Sequence, residues 1–153
     1  YFRTFKKEYN LDYTIFRFFN TYGENQSTDF VIPLFLERAL KNLPIQIYGD
    51  GNQTRTFCYI QDNVEAVYNA LVQHQFVNDV INIGSDVELT VTELAKQIVA
   101  LSNSKSTIEN VEALKEGDMT RRKPDVKKMK QLLNRELTTL DEGIAKLMKS
   151  LKA

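Results

Sequence analysis

The chain has 153 residues, with 20 basic and 20 acidic side chains, a formal net charge of zero, 42% hydrophobic and 26% charged content. That is the balance of one soluble globular domain large enough for a real core, and it gives no ground for a nucleic-acid or anionic-membrane partner. No apolar run approaches the roughly 20 residues that span a bilayer, and the single cysteine, Cys58, with the single histidine, His74, excludes an internal disulfide and argues against a zinc site.

Residues 1–9 read as a helix, with Phe2, Phe5 and Tyr9 at helical spacing. The chain opens on Tyr1, in what reads as the tail of a helix already under way, so a piece of a longer protein is expected. No basic-then-apolar signal segment is present, and a cytoplasmic location is expected. Asn10 to Asp12 form a turn. Tyr13 to Phe19 are a dense apolar run, expected as a strand buried on both faces of a parallel sheet, ending at Asn20-Thr21-Tyr22-Gly23. Ligands of open α/β sheets bind beyond the carboxyl ends of strands. Asn20 is therefore a candidate contact, since its amide both donates and accepts; an Asx turn closing the strand is the alternative.

Ile32, Phe35, Leu36, Ala39, Leu40 and Leu43 mark an amphipathic helix, with Pro33 compatible with its first turn. Ile45 to Ile60 read as strand, tight turn, strand. Ile45 and Ile47 alternate with Gln46 and Tyr48, Gly49-Asp50-Gly51-Asn52 tolerate positive φ, and Thr56 to Ile60 are β-branched and aromatic. Arg55 stands where the turn enters the second strand, able to present a planar fork of donors to phosphate oxygens. The pattern alone also fits a surface hairpin with an arginine on its rim.

Asp62-x-x-Glu65 reads as a capping box, with Val64, Val67, Tyr68, Leu71 and Val72 on one face of the helix behind it. A short strand from Asp79 stops at Gly84. Thr90-x-x-Glu93 is a second capping box, before a stripe of Val91, Leu94, Ala95, Ile98 and Val99. Thr107 to Val111 are an expected edge strand. Val126, Met129, Leu132 and Leu133 mark a short helix on which Lys127, Lys128 and Lys130 form a solvated face. Thr139-x-x-Glu142 caps a last helix with Leu140, Ile144, Leu147, Met148 and Leu151 inward. Helices alternating with short strands make an α/β chain. Cys58, in an apolar strand, reads as a small buried hydrophobe.

Three ordered segments carry a resemblance. Tyr48-Gly49-Asp50-Gly51-Asn52-Gln53-Thr54-Arg55-Thr56-Phe57-Cys58-Tyr59-Ile60-Gln61-Asp62, Arg17-Phe18-Phe19-Asn20-Thr21-Tyr22-Gly23 and Arg122-Lys123-Pro124-Asp125 resemble the NAD-dependent epimerase/dehydratase family, the extended short-chain dehydrogenases. The Gln53-Thr54-Arg55 form looks most like UDP-glucuronate decarboxylases. The resemblance covers the whole chain and implies the carboxyl-terminal part of a Rossmann-type NAD-binding fold plus the small substrate-binding lobe. Residues 1–30 would be the last part of the Rossmann domain, and 31–153 mainly the lobe with returning Rossmann elements.

By that resemblance Asn20 touches the substrate near its diphosphate or the nicotinamide end of the NAD cofactor, with Phe19 beside it. Thr21 and Tyr22 line the same loop, and Ile47 and Tyr48 border the nucleobase. Arg55 binds the diphosphate, and Arg121 or Arg122 closes on it from a second loop. The partner implied is a nucleoside-diphosphate sugar, and the longer enzyme a homodimer in which the first helix packs. The implied reaction passes through a 4-keto sugar. Decarboxylation of UDP-glucuronate is favoured; 4,6-dehydration, 4-epimerisation and a non-catalytic nucleotide-binding or dimerising module are the alternatives. Neither Gly-x-Gly-x-x-Gly nor Tyr-x-x-x-Lys occurs here, so no catalytic residue is assigned, and these 153 residues alone are expected to be inactive. The chain departs from the family pattern at Glu24, at Leu133-Asn134-Arg135 and at Lys115-Glu116-Gly117-Asp118.

Overall fold

The computed structural model describes residues 1–113 and 121–151; the Lys115–Asp118 departure lies outside the described residues. Helix α1 (Phe2–Tyr9) stops at Asn10, which takes the left-handed φ of 53° that asparagine tolerates. Strand β1 (Thr14–Phe18) pairs in parallel with β6 (Asp79–Ile83), from Thr14 against Asp79 to Phe18 against Ile83. Helices α3 (Ile60–Val72) and α5 (Lys127–Leu133) pack with this pair. Their shared core holds Ala66, Ala70, Ile81, Ile83, Met129 and Leu132.

A second core is built from α2 (Val31–Leu40), β3 (Ile45–Tyr48), α4 (Val91–Leu101) and α6 (Leu140–Ser150), with Phe35, Leu36, Ile47, Leu94, Ile98 and Ile144 among its buried side chains. Strand β8 (Ile108–Val111) pairs in parallel with β3. Both Thr90 and Thr139 cap their helices as full capping boxes, each hydroxyl accepting from the N–H three residues on while the glutamate there accepts from the threonine N–H.

Several expectations need correcting. Strand β1 is not buried on both faces: none of its residues is fully buried and Phe18 is 52% exposed, because β6 is its one sheet neighbour among the described residues. Ile45 to Ile60 do not form a hairpin. Gly49 and Gly51 both take φ of 72° and Asp50 accepts from the Asn52 N–H as a turn residue should, but the strands on either side find different partners. Strand β3 joins β8, β4 (Thr54–Thr56) runs antiparallel to β7 (Glu88–Thr90), and β5 (Cys58–Tyr59) joins β2 (Thr21–Tyr22) in parallel. The strand expected to Ile60 breaks at Phe57, and α3 already begins at Ile60.

That early start undoes the capping box at Asp62. The carboxylate is buried inside the first turn and accepts instead from the Thr138 N–H, the Thr138 hydroxyl and the Arg135 guanidinium. The buried face of α3 is Asp62, Asn63, Ala66 and Ala70, small enough to admit α5, whereas Val64, Tyr68, Leu71 and Val72 are exposed. Leu40, Leu43 and Leu151 also lie outward. Lys128 and Lys130 are not merely solvated. They donate to Asp79 and Asp86 at 2.6 and 2.9 Å and stitch α5 to the β6 strand and its following loop.

Candidate functional site

Beyond the carboxyl end of β1 the chain bends sharply. The Phe19 N–H still donates to the Ile83 carbonyl at 2.8 Å, but Asn20 turns into the left-handed region at φ 39°. Its side-chain amide donates to the Thr56 carbonyl at 2.9 Å, and its own carbonyl accepts from the Cys58 N–H at 3.1 Å. Asn20 thus ties the turn to the β4–β5 segment. Thr21 accepts through its hydroxyl from the buried Asn63 amide at 2.6 Å. Tyr22 is 2% exposed, packs its ring 5.6 Å from that of Tyr59, and brings its hydroxyl against Gly143. Burial pushes the Tyr22 phenol above its ordinary range and the Cys58 thiol up to about 12, so neither is an ionised nucleophile near neutrality.

Two hollows adjoin at Val31, the first residue of α2. One, of about 270 Å³, is walled by Ile47, Tyr48, Arg55, Gln53 and Phe35. The other, of about 360 Å³, is walled by Asn20, Thr21, Tyr22, Gln26 and Phe57. Ile47 is buried while Tyr48 is half exposed, as the strand alternation requires. The Arg55 guanidinium donates to the Thr54 carbonyl at 2.8 Å.

The second arginine-bearing loop runs beside β4, where Arg121 makes a parallel bridge to Thr54. The Arg121 side chain grips both oxygens of Glu88 at 2.7 and 2.9 Å, and the Lys123 ammonium lies 3.3 Å from the same carboxylate. Arg121 foremost, with Lys123, holds the Glu88 carboxyl down to about 2. Arg122 stands elsewhere, its guanidinium 5.3 Å above the Phe19 ring, a cation–π distance. Pro124 closes on Gly84, where an added Cβ would come within 3.1 Å of its ring.

The residues singled out in the sequence therefore fall into three groups: Ile47, Tyr48 and Arg55 around one hollow; Asn20, Thr21 and Tyr22 around its neighbour; and Phe19 under Arg122 at the end of β1. Arg121 joins none of them. It borders a separate shallow surface with Lys123, Pro124 and Asp125. Glu88, Gln26 and Asn63 were not singled out. Each is an isolated polar residue in an ordinary strand, loop or helix, and only the fold brings it to the site. Among the described residues no His, Cys, Asp and Glu side chains gather into a metal site, and no helix is long and apolar enough to cross a membrane.

Comparison with known proteins places this geometry in context. The model of the NAD dependent epimerase/dehydratase family matches residues 1–84. The chain is 38% identical to a UDP-N-acetyl-alpha-D-glucosaminuronate decarboxylase of Bacillus cytotoxicus over 80% of its own length and 40% of that protein's. It is 35% identical to UDP-glucuronic acid decarboxylase 2 of Arabidopsis thaliana over 94% of its own length and 32% of that protein's. The crystal structure of a UDP-glucose 4-epimerase from Thermotoga maritima with UDP-glucose superimposes with a TM-score of 0.87 at 29% identity, over 99% of this chain and 50% of that one. The chain thus spans half or less of the length of these relatives.

Proposed function

This chain belongs to the NAD-dependent epimerase/dehydratase family, and on that premise we propose that it supplies the substrate-binding part of a longer enzyme acting on a nucleoside-diphosphate sugar. The observation that carries the reading is the hollow in which Arg55 meets Ile47 and Tyr48, which shares the wall residue Val31 with the hollow of the Asn20–Tyr22 turn. Arg55 offers a charge-assisted fork to a diphosphate oxygen. Ile47 and Tyr48 form the wall against which the base lies. The turn at Asn20 receives the sugar, and residues 31–153 furnish most of this lobe while residues 1–30 end the cofactor-binding sheet.

NAD fits the same frame at one point. Phe19 and Asn20 lie past the carboxyl end of a parallel strand, where such sheets place their ligands, so they would border its nicotinamide end. When bound, the cofactor supplies reversible hydride transfer at the sugar C4. The residues of this chain bind and orient the substrate. The general base is assigned to none of them, and the chain by itself is expected to turn over nothing.

Among the reactions open to a 4-keto sugar we favour loss of carbon dioxide from UDP-glucuronate, supported by the Gln53-Thr54-Arg55 pattern and by the two decarboxylases at 38% and 35% identity. The likeness to a 4-epimerase structure keeps epimerisation as the second reading. Incubating the longer enzyme with UDP-glucuronate and NAD separates them: UDP-xylose or its 4-keto precursor is expected, whereas UDP-galacturonate alone would overturn the favoured branch. The longer enzyme is expected to be a homodimer, which sedimentation of that protein checks.

A further inference from the structure

The strap from Arg121 to Pro124 carries three consecutive cations, Arg121, Arg122 and Lys123, and the first and third reach the same carboxylate. Arg121 holds both oxygens of Glu88, and Lys123 approaches one of them at 3.3 Å. Two neighbours drawn to one side leave the intervening side chain to the other, and Arg122 is found there, over Phe19 at the end of β1. The strap is fixed at two more points: the Arg121 bridge to Thr54, and Pro124 against Gly84, where the absence of a Cβ lets Phe19 and Pro124 approach. Glu88 itself is set by β7, whose pairing puts it opposite Thr56, and it accepts from the Thr54 hydroxyl at 3.4 Å.

We propose that Glu88 is a positioning residue: by holding Arg121 and Lys123 it aims Arg122 across the end of β1, so that Arg122 and not Arg121 is the strap's ligand for the substrate diphosphate. Its functional consequence rests on the nucleotide-sugar reading above; its structural part does not. Glu88 touches neither substrate nor cofactor, and its carboxylate offsets the repulsion among three adjacent cations that leaves an unanchored strap without a fixed geometry.

The test uses the full-length protein with Glu88→Ala and the shape-preserving Glu88→Gln. Phenylglyoxal labelling at Arg122, read by fragment mass spectrometry without nucleotide, is expected to rise severalfold in both variants while the melting curve keeps its cooperativity. Calorimetric titration with UDP is expected to show about tenfold weaker binding for either Glu88 variant and for Arg122→Ala. It is expected to show no further loss when Glu88→Ala is added to Arg122→Ala. Arg121→Ala, which releases the same strap, is expected to weaken binding only while Arg122 is present, and an added loss from Arg121→Ala on top of Arg122→Ala would make Arg121 a ligand itself and overturn the proposal. Unchanged labelling at Arg122, or an equal loss from Glu88→Ala with and without Arg122, overturns the proposal. If UDP binds none of these proteins, the nucleotide-sugar reading fails, while the labelling result still decides whether Glu88 aims Arg122.

Discussion

At the scale of single residues, Asp62 shows how far a local pattern reaches. Asp62-x-x-Glu65 has the same spacing as Thr90-x-x-Glu93 and Thr139-x-x-Glu142, yet only the threonines cap. Nothing within the four residues reveals that the helix has already begun at Ile60, because the signal is Thr138, 76 residues away. Removing the Asp62 carboxylate leaves the Thr138 N–H and hydroxyl without their acceptor while Arg135 keeps its hold on Glu65, so Asp62→Ala is expected to cost about 2 kcal/mol in urea unfolding; a loss below about 0.5 kcal/mol would be the size of an ordinary surface change and would contradict this role. Gly143 was equally silent in the sequence. In Gly143→Ala the gain in helix propensity, about 1 kcal/mol, meets a Cβ 2.0 Å from the Tyr22 hydroxyl, and overpacking at about 1–3 kcal/mol outweighs it. A lower melting temperature is expected, and a higher one would show that α6 can shift away. Glu88 sets an acid response. Its carboxyl is depressed from 4.5 to about 2, so its stabilising contribution is complete above pH 4.5 and lost as pH falls through about 2. Glu88→Gln is expected to flatten part of the acid limb of the urea midpoint, the remainder coming from depressed carboxyls such as Asp79 and Asp86, each held down by its lysine.

At the scale of elements, periodicity was a sound guide where one face meets one core. In α4 the stripe is buried at Leu94, Ala95 and Ile98 and partly buried at Val91 and Val99, the α5 stripe is buried at Val126, Met129, Leu132 and Leu133, and β3 alternates as Ile45 and Ile47 predict. It failed where the partner is remote or the buried face is small. The turn after β3 was legible from its glycines, but the strand that pairs with β3 begins at Ile108, and no local signal links them. In α3 the large apolar side chains Val64, Tyr68, Leu71 and Val72 lie outward, because close approach to α5 selects Ala66 and Ala70. The candidate site divides the same way. Asn20, Tyr48 and Arg55 were legible because motif order marks them, while Glu88 and Gln26 were not. The two true capping boxes are expected to be separable from the false one: Thr90→Ala and Thr139→Ala each cost about 1 kcal/mol through fraying of their own helix. Hydrogen exchange at the first turns of α4 and α6 reads this directly, and unchanged protection would contradict it.

At the scale of the whole molecule, β5 joins the two cores, with Cys58 in one and Tyr59 in the other, and the hollows carrying Arg55 and Asn20 are walled by the core of α2, β3, α4 and α6. The outward faces are less settled. Helix α1 exposes Phe2, Phe5 and Tyr9, and α3 exposes Val64, Tyr68, Leu71 and Val72, apolar side chains that association would cover. The 153 residues in isolation are therefore expected to self-associate with rising concentration, and Val64→Lys with Leu71→Lys to reduce it; concentration-independent scattering by the unchanged chain would contradict that. The proposed function sets Arg55 against the diphosphate of a nucleotide sugar. The most direct measurement is equilibrium binding of UDP to the full-length protein with and without Arg55→Ala. About tenfold weaker binding is expected in the variant with cooperative unfolding retained, and equal affinity in the two proteins would contradict the role given to Arg55.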